Sequence, residues 1–173
     1  MTSGPPDPAP QSDPTDRIAE IALDEHSVLA RSATVENERA AAIADLLRDN
    51  SFAPESGLRG PFALHLAVEE NRLNMDIRSL AHGSPAGGAG EMVVLPLAPF
   101  RRIVKDYFLI CESYYKAIRD RGVAQVEAID AGRRALHNEG AELLTERLAG
   151  KVEIDHATAR RLFTLLCVLH LRA

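Results

Sequence analysis

The chain has 173 residues, enough for one domain that buries a core of its own without a disulfide or metal staple. Hydrophobic residues make up 46% and charged residues 26%, the balance of an ordinary soluble protein, and the core is expected to be aliphatic because only 5% are aromatic and Trp is absent. The net charge of −5 divides into −8 over residues 1–98 and +3 over residues 99–173, far short of the basic stripe that neutralising a nucleic-acid backbone takes, so a nucleic-acid partner is disfavoured.

Cys111 and Cys167 each sit inside an apolar helical pattern, not in a ligand spacing, and read as buried thiols. No charged n-region with an apolar h-region opens the chain, and no apolar run reaches about eighteen residues. A cytoplasmic protein without a membrane span is therefore expected.

The opening MTSGPPDPAPQSDPTD carries five prolines in its first fourteen residues and reads as a disordered tail over 1–16, leaving 17–173 as a single domain. In RIAEIALDE the alternation of Ala19, Ile21 and Leu23 predicts a short strand. SATVENERAAAIADLLRDN predicts a helix capped by Ser32 or Thr34, with Glu36 and Glu38 in its positive first turn. Its buried stripe would be Val35, the Arg39 stem, Ala42, Ile43, Leu46 and Leu47. Pro54 and Gly57 then break the chain.

PFALHLAVEENRLNMDIR is the hairpin of the chain. Phe62, Leu64, Leu66 and Val68 alternate on one side of a Glu69–Asn71 turn, and Leu73, Met75 and Ile77 on the other. The opposite face carries His65, Arg72, Asn74, Asp76 and Arg78, a polar row that a sheet can leave in solvent or present to a protein partner. HGSPAGGAG, residues 82–90, is a flexible Gly-rich loop that lacks the GK[ST] ending of a phosphate loop. EMVVLPL predicts a further strand, and Pro96 implies that it lies at a sheet edge or ends there.

Three helices should follow. The first, after Pro99 and over Phe100 to Arg119, repeats Val104, Tyr107, Cys111, Tyr114 and Ile118 on one face. The second runs from Ala124 to Leu148, where Gly132 and Gly140 imply close approach of another element, or a kink or break at HNEG. The third begins after an Asp155 cap and is apolar almost all round, so it is either the most buried helix or the cover of an oligomer interface.

On the second of these helices Glu127, Asp130, Arg134, His137 and Ala141 share a face by their spacing of three and four. His137 and Glu139 are the catalytic candidates, because an imidazole near neutral pKa and a carboxylate are what general acid-base chemistry requires. Arg101, Arg102, Arg133 and Arg134 are the anion-binding candidates. A third pair, Arg160–Arg161, falls like Arg101–Arg102 near a helix start, where cations oppose the dipole and call for compensation by carboxylates or by a bound anion. A satisfied polar helix face explains the same residues without any site. His-x-Glu without a Pro-Cys-x-x-Cys partner is not a zinc deaminase, and no metal-ligand spacing or nucleophile motif appears.

The blocks ENERAAAIADLLRDNSF, GPFALHLAVEENRLNMDI, LPLAPFRRIVKDYFLICESYYKAIR, AIDAGRRALHNEGAELLTERL and DHATARRLFTLLCVLH together resemble uncharacterised protein family 0262, over roughly residues 17–170. The resemblance implies a small cytoplasmic protein of alphaproteobacterial type and brings no activity, cofactor or catalytic residue with it. It makes the Pro-rich tail and the Gly-rich run embellishments of this member.

The expectation is an α+β domain: a small antiparallel sheet of three or four strands, one helix before the hairpin and three C-terminal helices, packed on one face. The function expected first is that of a non-enzymatic interaction or regulatory protein that self-associates, through the first C-terminal helix or the last, with no cofactor or metal. The alternative is an enzyme or binder acting on an anionic small metabolite through the Arg/His/Glu cluster.

Overall fold

The structure, a computed structural model, describes residues 13–24, 33–83, 89–120 and 122–170. The tail up to residue 12, Ser32, the Thr34 side chain and the centre of the Gly-rich run at 84–88 lie outside the described residues. In chain order the elements are β1 (Ile18–Leu23), α1 (Ala33–Arg48), β2 (Phe52–Pro54), β3 (Phe62–Glu69), β4 (Arg72–Ser79), β5 (Gly90–Pro96), a 3₁₀ turn (Ala98–Phe100), α2 (Arg101–Asp120), α3 (Val123–Leu148), β6 (Val152–Ile154) and α4 (His156–His170). The architecture is α+β, with one helix ahead of the hairpin and three after it.

The main sheet has the order β1-β3-β4-β5. β3 and β4 join through the two-residue turn Glu70–Asn71, where both residues have positive φ (48° and 59°), the mirror-image turn whose twist matches a hairpin. β5 continues antiparallel on β4. The expectation of a wholly antiparallel sheet needs correction at one edge, because β1 runs parallel to β3. The chain leaves β1 and returns through α1 and β2, a crossover of the length that parallel pairing demands. Asn50 ties the crossover down: its side chain accepts from the Ile18 N–H (2.7 Å) and donates to the carbonyls of Ile18 and Leu46 (2.9 and 2.8 Å). A second, two-stranded sheet of β2 and β6 pairs Phe52–Pro54 with Val152–Ile154. Segments of three residues leave no periodicity to read, so the sequence does not announce them.

The hairpin alternation places Phe62, Leu64, Leu66, Leu73, Met75 and Ile77 on the inner face, joined by Val93 and Leu95 of β5, all buried. The helices cover this face alone. α4 lies against β3 between α1 and α3, and α2 packs on α3. Every residue of α4 from Leu162 to Leu169 is buried within the protomer, which decides between the two readings of its apolar surface. The Asp155 carboxylate caps it, accepting from the Thr158 N–H at 2.8 Å. The Thr158 hydroxyl in turn accepts from the Ser51 N–H at 2.9 Å and fixes the start of α4 against the end of α1.

α3 is continuous through HNEG. Gly140 stands where the Phe163 ring of α4 comes within 2.5 Å of an ideal Cβ position, and Gly132 where Ile110 of α2 comes within 2.6 Å. Close approach of neighbours, and not a kink, accounts for both glycines. α2 departs from its expected stripe over its last two turns, since Ile118 is 52% exposed and Tyr114 only half-buried. There its face turns from the core to a cleft.

Candidate functional site

That cleft opens between the four helices and has a volume of about 570 Å³. α1 lines it with Glu38, Ala41, Ala42 and Asp45, α3 with Asp130, Arg133, Arg134 and His137, and α4 with Ala157, Arg160, Arg161 and Thr164. Each set follows the i, i+3, i+4, i+7 spacing of one helix face, and Tyr114, Tyr115 and Ile118 of α2 close the remaining wall. Space exists because Ala41, Ala42 and Ala157 stand where longer side chains would fill it.

The floor is a charged network around Glu38, which is only 6% exposed. Its Oε2 accepts from the Tyr107 hydroxyl at 2.5 Å, and its Oε1 from the Tyr115 hydroxyl and Arg133 Nη1, both at 3.1 Å. Arg133 Nη2 and Nε donate to Asp130 Oδ1 at 3.1 and 3.3 Å, and its guanidinium carbon lies 4.5 Å from the Tyr114 ring centroid. Asp130 also holds Arg134, Nε to Oδ2 at 3.2 Å. Burial works against the Arg133 charge, but the Glu38 and Asp130 carboxylates prevail and hold its pKa above the ordinary value. Desolvation, then Glu38, push Tyr115 up to about 12, and raise Tyr107 further. The same two causes push the Cys111 thiol up to about 12, so it is an inert core group.

His137 Nε2 lies 3.0 Å from Thr164 Oγ1, and its ring centroid is 4.8 Å from that of Tyr107. Burial first, then the Arg160 and Arg133 charges, push its pKa down to about 4 against a slight opposing pull from Asp130. It is therefore a neutral imidazole at physiological pH. The Thr164 hydroxyl donates to the Arg160 carbonyl at 3.2 Å, and with that proton committed Nε2 carries the imidazole hydrogen and Nδ1 remains an acceptor.

Arg160 has a different standing. Its Nε is shut off from solvent and makes no hydrogen bond, and among the described residues no carboxylate pairs with it. Its neighbour Arg161 donates only to a backbone carbonyl, that of Asp49, at 3.0 Å. Both arginines stand in the second turn of α4.

The candidates from sequence thus divide. His137, Arg133 and Arg134 meet in the cleft. Glu139, two residues past His137 and so about 200° around the helix, points away, accepting from Arg102 Nη2 at 2.8 Å. Arg102 also donates to Asp106 at 3.3 Å, and Arg101 is exposed beside it. His65, Arg72, Asn74, Asp76 and Arg78 lie on the open face of the sheet, where Arg78 is held by Asp76 at 2.9 Å and Asn74 bonds Glu69 at 3.4 Å. Sequence reasoning placed Glu38 only in the positive first turn of α1, and gave Arg160–Arg161 carboxylates or a bound anion as compensation without joining them to the His137 face. The signal for the two arginines was a cation pair near a helix start; Glu38 had none beyond its place in the first turn. Among the described residues no group of His, Cys, Asp and Glu is placed to hold a metal ion, and no helix is long and apolar enough to cross a membrane.

A model of UPF0262, described as an uncharacterised protein family, matches residues 15–172. The chain belongs to this family. A UPF0262 protein of Rhodospirillum rubrum is 58% identical over 91% of this chain and 94% of its own length. Those of Xanthobacter autotrophicus and Paramagnetospirillum magneticum are 52% and 53% identical, over 93% and 90% of the chain and 96% of their own lengths. These relatives are alphaproteobacterial and carry no assigned activity in their names. No solved structure matches the fold.

Proposed function

We propose that this chain is a cytoplasmic, non-enzymatic binding protein that takes a small anionic molecule into the cleft between its four helices. The observation that carries the reading is Arg160: a cation in the cleft wall, with an Nε unbonded and out of reach of solvent, has no counter-charge among the described residues. Arg160 as a whole is half-buried, but its sealed Nε–H lacks an acceptor, which costs about 1–3 kcal/mol, and an anionic ligand in the cleft would supply one. The cleft's size falls within the range of small-molecule sites, roughly 300–1,000 Å³. Against general acid-base catalysis stand the lowered pKa of His137, about 4, which makes it a weak base near neutral pH, and the separation of Glu139 from it.

Native mass spectrometry of protein purified gently from its own cells tests this. A reproducible adduct that disappears with Arg160→Met supports it. An unliganded spectrum from both wild type and variant, under conditions that preserve other weak complexes, overturns it.

A second reading, self-association or docking of a protein through the open sheet face, is favoured by one observation. Met92 and Val94 of β5, 56% and 39% exposed, extend the polar row of the hairpin with apolar surface. The same spectrum reports subunit number, and Met92→Asp would convert an oligomer built on that face to monomer.

A further inference from the structure

We infer that the ligand of this cleft is a dianion with an organic body, of the phosphomonoester class, and neither a bare inorganic ion nor a monocarboxylate. This rests on the reading of the cleft as an anion site and specifies its ligand through charge balance and space.

Charge sets the first limit. The described walls hold Arg133, Arg134, Arg160 and Arg161 against Glu38, Asp45 and Asp130. Asp45 is already neutralised by Arg48, which stands outside the cleft. Glu38 and Asp130 are consumed by Arg133 and Arg134. Among the described residues, the guanidiniums of Arg160 and Arg161, on adjacent residues of one helix turn, have no carboxylate partner, Arg161 donating to the Asp49 carbonyl alone. Two uncompensated charges match two negative charges, which a phosphomonoester carries near neutral pH because its second pKa is about 6. Guanidinium forks also match the paired oxygens of a phosphoryl group.

Space sets the second limit. Inorganic phosphate occupies the volume of a few water molecules, each about 30 Å³, a small part of the 570 Å³ present. The remaining surface is Ala41, Ala42 and Ala157 with the Tyr114 ring and Ile118, a wall suited to an aliphatic or flat apolar body. Thr164 and the Nδ1 of His137 offer hydrogen-bonding atoms at the floor, where such a body would meet them.

Isothermal titration of the full chain with three probes reads this directly: phenyl phosphate, benzoate and inorganic phosphate, which are a dianion with a ring, a monoanion with the same ring, and the head group alone. Phenyl phosphate is expected to bind at least about ten-fold more tightly than either other probe, a difference of about 1.4 kcal/mol. Arg160→Met and Arg161→Met should each remove most of that advantage. Ala157→Leu, which leaves every charge in place, should weaken phenyl phosphate while sparing inorganic phosphate, so the inference remains testable even if an arginine variant does not fold. Equal binding of benzoate and phenyl phosphate, still sensitive to Arg160→Met, overturns the dianion and leaves the anion cleft standing. Equal binding of inorganic phosphate and phenyl phosphate overturns the organic body. Binding indifferent to all three substitutions, or no binding by any probe at millimolar concentration, overturns the ligand class and the cleft reading together.

Discussion

Lowering the pH from about 7 to about 5 should destabilise this protein through His137 by an amount the structure lets us work out. The imidazole faces Arg133 and Asp130 on its own helix, Arg160 and Thr164 on α4 and the Tyr107 ring on α2, and its pKa falls from 6.5 in the unfolded chain to about 4 in the folded one. Between those values the unfolded state binds a proton that the native state refuses, so stability rises with pH across the window and is lost as pH falls. The full difference amounts to about 3 kcal/mol at 1.36 kcal/mol per pKa unit, of which about 2 kcal/mol is lost by pH 5. Urea unfolding of wild type and His137→Gln at both pH values isolates this share, because carboxylate titrations common to the two proteins cancel in the difference. Glutamine keeps a donor for Thr164 and cannot take the proton. A pH dependence equal in the two proteins, or a His137 ring that titrates near 6.5 by NMR, refutes the argument.

The two helix glycines should respond with opposite signs. Gly140→Ala drives a Cβ into the Phe163 ring at 2.5 Å and should cost about 1–3 kcal/mol by thermal or urea unfolding. At Gly132 the clash is with the flexible Ile110 Cδ1, so Gly132→Ala should be neutral or stabilise by up to about 1 kcal/mol; equal losses at both would contradict the packing argument. Tyr107→Phe removes a hydrogen bond to the buried Glu38 carboxylate and should cost about 1.5–3 kcal/mol. That loss should shrink by at least about 0.5 kcal/mol in a Glu38→Gln background, and additivity of the two would mean that the pair does not act as a unit. Asp155→Ala deletes the α4 cap, with an expected loss of about 1 kcal/mol in equilibrium unfolding.

Much of the fold is legible in the chain because its elements carry their own periodicity. The hairpin follows from alternation on both sides of Glu70–Asn71. α4 follows from an Asp155 cap before an apolar run, and its central position from the absence of any polar stripe. The buried thiols follow from Cys111 and Cys167 falling in apolar helical patterns. Those patterns are local, recorded over one or two turns or strand repeats. The parallel edge made by β1 and the β2–β6 pair are not local, since each depends on which distant segment arrives beside it, 30 or more residues away.

The site divides along the same line. Spacing alone put Asp130, Arg134 and His137 on one face of α3, because a helix fixes which residues share a side. It could not say that this face looks into a cleft, nor that Glu139 and Arg102 brace the opposite side. Only the arrival of α2 and α3 beside α1 buries Glu38 beneath Tyr107, Tyr115 and Arg133 and turns an apparent first-turn carboxylate into the anchor of a network. Likewise a pair of arginines early in α4 is visible in the sequence, but whether they are compensated depends on what three other helices bring within about 4 Å of them. The sequence determined the elements and their faces through short-range geometry. The tertiary structure alone decided which charges meet, because Coulomb and hydrogen-bond partners are selected by distance in space and not by distance along the chain.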